Sequence, residues 1–191
     1  MIHPSFPRRI PPEASCVFRG IIFDVYQWEQ KDFVGNTKIF ERLTRPDTAK
    51  VIPVTEDGRI MYAFEEQPGK PPFYSTIGGR VEEGEDALDA AKRELLEETG
   101  YEGTEWSLLE ATQPVGKMEW TYHTFIARGC RPVAAQSLDG GEKIELRFAT
   151  FDEFIRLVVE EDFHESALKI RFLEALLDPE KMKQLRTQVM G

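Results

Sequence analysis

Cysteine and histidine are scarce in this chain, with two and three copies. Cys16 and Cys130 lie far apart and in no metal-ligand spacing, which excludes a disulfide scaffold and a zinc-type cluster. They read as two buried free thiols of a reducing cytoplasm, with a mutual pair as the alternative. Long apolar runs are also missing, so no membrane span is expected. Residues 1–15 carry Pro4, Pro7, Pro11 and Pro12 with Arg8 and Arg9 and no apolar centre, which excludes a signal peptide and reads as an irregular arm. Basic charge is in deficit. Lys and Arg number 24 against 34 Asp and Glu, and the net −10 argues against a general nucleic-acid binder. An anionic substrate would have to be met by a metal and by a few local Lys or Arg residues.

What is present fits a folded domain. A length of 191 residues with 41% hydrophobic and 30% charged content suits one domain, or one domain with an added arm. Residues 16–28 alternate in part and contain β-branched and aromatic residues, predicting one long strand; a turn at Asp32 to Asn36 and a returning strand at 37–43 complete a hairpin. Glu56-Asp57-Gly58 marks a tight hairpin between strands 50–54 and 59–64. Strands are further expected at 73–77, 106–109, 120–127 and 144–150, and helices from Phe151, over 167–177 and after Asp178-Pro179, the last loosely packed or frayed.

The chain is organised around residues 79–101. A glycine loop feeds a helix whose start carries Glu85 and Asp86 and whose stop is Gly100. At about 100° per residue, Leu88, Ala91 and Leu95 form one stripe, and Glu94, Glu97 and Glu98 lie side by side along its edge. Like charges at this spacing cost a helix a few tenths of a kcal/mol per pair. A hard divalent cation reverses that sign, because Mg²⁺ binds through one or two carboxylates plus substrate phosphates.

The stretch Gly79-x5-Glu85-x7-Arg93-Glu94-Leu95-x-Glu97-Glu98-x-Gly100-Tyr101 carries every fixed residue of the Nudix box, with Tyr101 where an aliphatic residue is usual. The chain therefore resembles a Nudix hydrolase, and its N-terminal hairpin resembles the extension of the ADP-ribose and nucleoside diphosphate sugar pyrophosphatase branch. The resemblance implies an α+β fold, an α/β/α sandwich with a mixed sheet preceded by a β-hairpin extension. It divides the chain into an arm (1–15), a dimerising hairpin (16–45) and the hydrolase domain (46–191). The implied reaction is Mg²⁺-dependent hydrolysis of the pyrophosphate bond of a nucleoside diphosphate sugar, ADP-ribose first, by a cytoplasmic homodimer; Mn²⁺ is an alternative cation.

The resemblance also assigns residues. Glu94 and Glu98 would hold the metal with the Gly78 carbonyl, Glu97 would be an alternate ligand, and Glu85 and Arg93 would tie loop to helix beside Gly79. A general base is expected in the acidic loop of Gly140 and Gly141, with Glu142 ahead of Glu145. Glu119 is a weaker metal candidate. Gln67 sits where that branch carries a Gln followed two residues later by a phosphate-binding Arg, but Gly69 stands here instead. Arg80, Lys70, Lys117 or Arg45 could replace the charge. Trp28, with Trp120 and Tyr122 behind it, could stack on a base, and Pro114 lies where ADP-ribose hydrolases carry a proline. The alternatives are a nucleoside triphosphate pyrophosphohydrolase, whose smaller members generally lack the extension, and a non-catalytic nucleotide sensor, which usually loses box glutamates; all are kept here.

Overall fold

The computed structural model describes residues 6, 9–138, 140–141, 143–160 and 162–191. In chain order the elements are β1 (Ser15–Arg19), β2 (Asp24–Lys31), β3 (Thr37–Thr44), β4 (Thr48–Thr55), β5 (Ile60–Glu66), β6 (Phe73–Ser75), α1 (Ala87–Thr99), β7 (Tyr101–Glu102), β8 (Glu105–Thr112), β9 (Met118–Glu119), β10 (Tyr122–Pro132), β11 (Lys143–Ala149), α2 (Phe151–Glu160), α3 (Ser166–Leu177) and α4 (Pro179–Met190). A mixed sheet runs β11-β5-β4-β10-β7, with β6 added to β5 and β8 to β10. At its centre β4 and β10 are parallel, Tyr122 opposite Thr48 and Phe125 opposite Val51.

Strand alternation makes this sheet the middle of a sandwich. Ala49 and Val51 of β4, with Phe125 and Ala127 of β10, pack with Ala90, Ala91 and Leu95 of α1. Ile52 and Val54, with Ile126, pack with Phe154, Phe172 and Leu168 of the C-terminal helices. The α/β/α arrangement expected from the sequence is the one observed.

Three expectations need correction. The single strand at 16–28 is two strands. Gly20 donates to the Phe23 carbonyl at 3.0 Å, and the chain folds back so that Arg19 pairs with Asp24. A side chain at Gly20 would lie 2.6 Å from that carbonyl oxygen, so the fold-back depends on glycine. The expected hairpin is formed by β2 and β3, and β1 on one side and a parallel β9 on the other extend it to four strands. The last helix is packed, not frayed: Asp178 caps it by accepting from Glu180 and Lys181, Leu185 and Val189 are buried, and Arg128 donates to the Gln188 carbonyl at 2.6 Å. Finally, both cysteines are free, but Cys16 is exposed; Cys130 is buried, which pushes its thiol up to about 12.

Candidate functional site

Helix α1 is fixed at both ends. Asp86 accepts from the Leu88 amide at 2.8 Å, and Gly100, at φ 73°, donates to the Leu96 carbonyl at 2.8 Å. Beyond the helix, the Gln136 side chain donates to the Glu98 carbonyl at 2.7 Å and the Ser137 amide to the Glu97 carbonyl at 2.8 Å, so the 133–138 segment satisfies carbonyls the last turn leaves open. Arg93 ties the box together. It pairs with Glu85 through two hydrogen bonds (3.0 and 3.1 Å), and reaches the Arg80 carbonyl (3.0 Å), Glu94 (2.9 Å) and Glu97 (3.0 Å). Glu85 before all else holds the guanidinium above its ordinary range.

Two glycines bring strand and helix together. Val51 pairs with Ile77 and Thr48 with Arg80, which sets Gly78 opposite Lys50 in a short ladder. Gly78 has φ 123°, and an added Cβ would lie 2.2 Å from the Ala49 carbonyl oxygen. Its amide donates to the Glu98 carboxylate at 2.7 Å. At Gly79 an added Cβ would lie 2.7 Å from a Glu94 oxygen, so the missing side chain is the space the carboxylate occupies.

The result is a cleft of about 750 Å³ whose lining includes Glu94, Glu97, Glu98, Gly78 and Gly79 together with Arg45, Arg80, Gln67, Lys50, Glu165 and Trp120. Burial pushes the Glu98 carboxyl up to about 7, although Lys50 and the Gly78 amide pull it down. Glu94 is raised as well, again by burial first, while Glu97 stands at the mouth with its side chain 47% exposed. Burial alone would lower the Lys50 ammonium; Glu165, Glu98, Glu65 and Glu94 around it outweigh that and hold it above its usual value. Arg45 is lowered by burial and by Arg80 beside it, and its guanidinium lies over the Trp120 ring at 4.6 Å. Its Nε is buried without a hydrogen-bond partner.

The donor set suits a small hard cation. Among the described residues no three or more carboxylate, imidazole or thiol groups converge into a ready-made cage. Two partly desolvated carboxylates one helical turn apart, facing open cleft, are instead what Mg²⁺ needs when the substrate supplies the remaining oxygens.

Other expected residues fall elsewhere. Gln67 lines the cleft but is engaged with Glu65 (3.3 Å) and Lys70 (2.9 Å). Trp28 stacks on Phe40 at 6.2 Å and donates to Gln30, away from the lining of this cleft. Glu119 accepts from the backbone amides of Arg9 and Ile10 through one of its two oxygens, and it is absent from the lining of this cleft. Glu145 lies on β11, mostly exposed and paired with Arg147 at 2.9 Å. Lys117 is exposed and absent from the cleft lining, and the side chain near Gly116 is that of Arg42. Glu142 lies outside the described residues. Its neighbours Gly141 and Lys143 line a hollow of about 350 Å³ that shares Gln67 and Lys70 with the main cleft.

Lys50, Glu65 and Glu165 are among the cleft residues that sequence reasoning missed. The signal for Lys50 was present, a lysine inside the apolar run of β4. Glu165 gave none, since it reaches the cleft only through tertiary packing: it is buried and accepts from the Thr76 amide (3.0 Å) and hydroxyl (2.9 Å). Burial pushes its carboxyl up to about 7, and Tyr122 beside it is raised well above its usual value, by desolvation first. A folded-state value above the unfolded one means the contribution to stability is complete below the unfolded value and lost as pH rises through about 7. Glu165→Gln mimics the protonated acid. Its melting temperature relative to the parent is therefore expected to rise by on the order of 5 °C between pH 5 and pH 8. A difference that stays flat in melting curves across that range would contradict the burial-driven shift.

Comparison with known proteins agrees with this geometry. The family model for the NUDIX domain matches residues 44–170. A methanol dehydrogenase activator of Bacillus methanolicus is 32% identical over 148 residues, spanning 73% of this chain and 78% of that protein. An ADP-ribose pyrophosphatase of Bacillus subtilis (strain 168) is 26% identical over 164 residues, 83% of this chain and 88% of the other. Among solved structures, that of an ADP compounds hydrolase superposes with a TM-score of 0.69 over 97% of each chain at 18% identity, a likeness of fold.

Proposed function

The chain belongs to the NUDIX family and is a Nudix hydrolase, and from this premise we propose that it cleaves the pyrophosphate bond of a nucleoside diphosphate sugar. ADP-ribose stands first, giving AMP and ribose 5-phosphate. The observation that carries the reading is the pairing of opposites in one cleft, whose lining holds desolvated Glu94 and Glu98 together with Arg45 and Arg80. Among the described residues no carboxylate pairs with either arginine, and two adjacent guanidinium groups without a counter-ion suit an anion with several oxygens. The name of the Bacillus subtilis relative supports ADP-ribose within that class.

Glu94, Glu98 and the Gly78 carbonyl are the proposed ligands of Mg²⁺, or of Mn²⁺, with Glu97 as alternate. A cation held there would polarise phosphoryl oxygens and lower the pKa of a bound water. Arg93 and Glu85 keep the carboxylates in place, and Arg45 and Arg80 hold the substrate's phosphates. Glu142 keeps first place as general base because Glu145 is committed to Arg147. We also propose a homodimer formed through the N-terminal sheet, where Ile21, Phe33 and Val34 are 98%, 111% and 81% exposed. The exposed free Cys16 fits a reducing, cytoplasmic setting. No helix among the described residues is long and apolar enough to cross a membrane.

The test is a panel of ADP-ribose, other nucleotide sugars, dinucleotides and nucleoside triphosphates with Mg²⁺, scored by products. AMP and ribose 5-phosphate from ADP-ribose are expected. Faster pyrophosphate release from triphosphates would move the protein to that class, and nucleotide binding without any turnover would make it a sensor. Sedimentation should give about twice 22.0 kDa, with Phe33→Asp shifting it toward monomer; a monomeric parent would sink the dimer.

A further inference from the structure

Every residue of β4 is buried except Lys50, so this lysine interrupts the central strand of the sheet and reaches into the cleft. Placing an ammonium there costs solvation and side-chain freedom. Among the described residues it has one hydrogen bond, to the Thr76 carbonyl oxygen at 3.1 Å. An ammonium carries three donors, so two are unused.

Neutralising acids does not explain this arrangement. Glu165, Glu98, Glu65 and Glu94 all act on Lys50 electrostatically, yet among the described residues none closes an ion pair with it. Glu65 is taken by Ser75 and Gln67, and one oxygen of Glu165 by Thr76. The ammonium is held by the Thr76 carbonyl at a fixed place, opposite Gly78, with donors left over and cleft volume beside it. Such a group is set for an oxygen that arrives from outside.

We propose that Lys50 is a diphosphate-binding residue, its two free N–H groups donating to non-bridging phosphoryl oxygens of the substrate. The proposal rests on reading the cleft as a diphosphate site. It adds a fixed positive charge to the protein's own equipment, where charge on the phosphoryl oxygens is stabilised without reorganisation. Thr76 and Glu165 become positioning residues: Glu165 fixes Thr76, and the Thr76 carbonyl fixes the ammonium.

Charge and structure make opposite demands, and the test uses that. In the full-length chain, Mg²⁺ alone and then magnesium pyrophosphate would be titrated calorimetrically into wild type, Lys50→Met and Lys50→Gln, with melting curves as the check on folding; glutamine serves if methionine does not fold. Removing a positive charge near Glu94 and Glu98 should leave Mg²⁺ affinity unchanged or tighter. Pyrophosphate affinity should fall about tenfold or more, the range of a lost charged hydrogen bond. Unchanged pyrophosphate affinity, parallel weakening of both ligands, or a wild type that binds no pyrophosphate would each overturn the assignment. If pyrophosphate binding depends on Lys50 while ADP-ribose is left intact, the assignment stands and the substrate reading falls.

Discussion

Glu98→Gln is expected to lower kcat on ADP-ribose by about 10²–10³-fold while leaving the fold intact. The amide oxygen can still accept from the Gly78 amide, now at 2.7 Å from the carboxylate, so the link between helix and ladder survives. What is lost is one of the two buried anionic donors proposed for the cation. A second readout separates this from a general disturbance. Mg²⁺ at a hundred times its dissociation constant should stabilise the parent by about 2.7 kcal/mol, and that gain should vanish in the variant. Turnover within tenfold of the parent would remove Glu98 from the cation site.

Gly78→Ala is expected to cost about 3 kcal/mol or more, seen as a fall of roughly 10 °C in melting temperature, and to abolish turnover. At φ 123° an L side chain is strained, and its Cβ would stand 2.2 Å from the Ala49 carbonyl oxygen, a backbone atom in the central strand that has nowhere to go. Gly79→Ala makes the informative contrast. There the clash is with the end of the Glu94 side chain, which can swing away. This variant should melt close to the parent yet lose activity, because the displaced group is a proposed cation ligand. Equal melting losses at the two positions would show that the backbone at Gly78 is not the constraint it is argued to be.

The helix of the site was readable because its signals are local. Asp86 caps it, Gly100 stops it, and the Glu94–Glu98 spacing places both carboxylates on one side, all within fourteen or so residues of pattern. The Glu56-Asp57-Gly58 turn was readable for the same reason, with Thr55 donating to the Arg59 carbonyl at 2.8 Å. The fold-back at Gly20 was missed because alternation continued through it, and glycine inside a strand pattern is a weak mark. The polar sequence of α4 concealed Leu185 and Val189, a stripe only two residues wide. Glu165 and Glu65 were beyond reach for a different reason. They come from the residue just before α3 and from β5, and only the tertiary fold brings them to one place.

The ladder that sets Gly78 against Lys50 has a bearing on how the chain acquires activity. Its partner strand β4 is held on the other side by β10, a parallel pairing of segments more than seventy residues apart, with the Asp47 carboxylate accepting from the Thr121 amide at 2.6 Å. Parallel pairings across such loops close slowly, since chain entropy is spent before any contact rewards it. During renaturation α1 can therefore coil early, glutamates already in register, while the floor beneath it is still open. Catalysis should lag behind the recovery of helical dichroism, and the first hydrolysed substrate would mark the molecules whose distant strands have met.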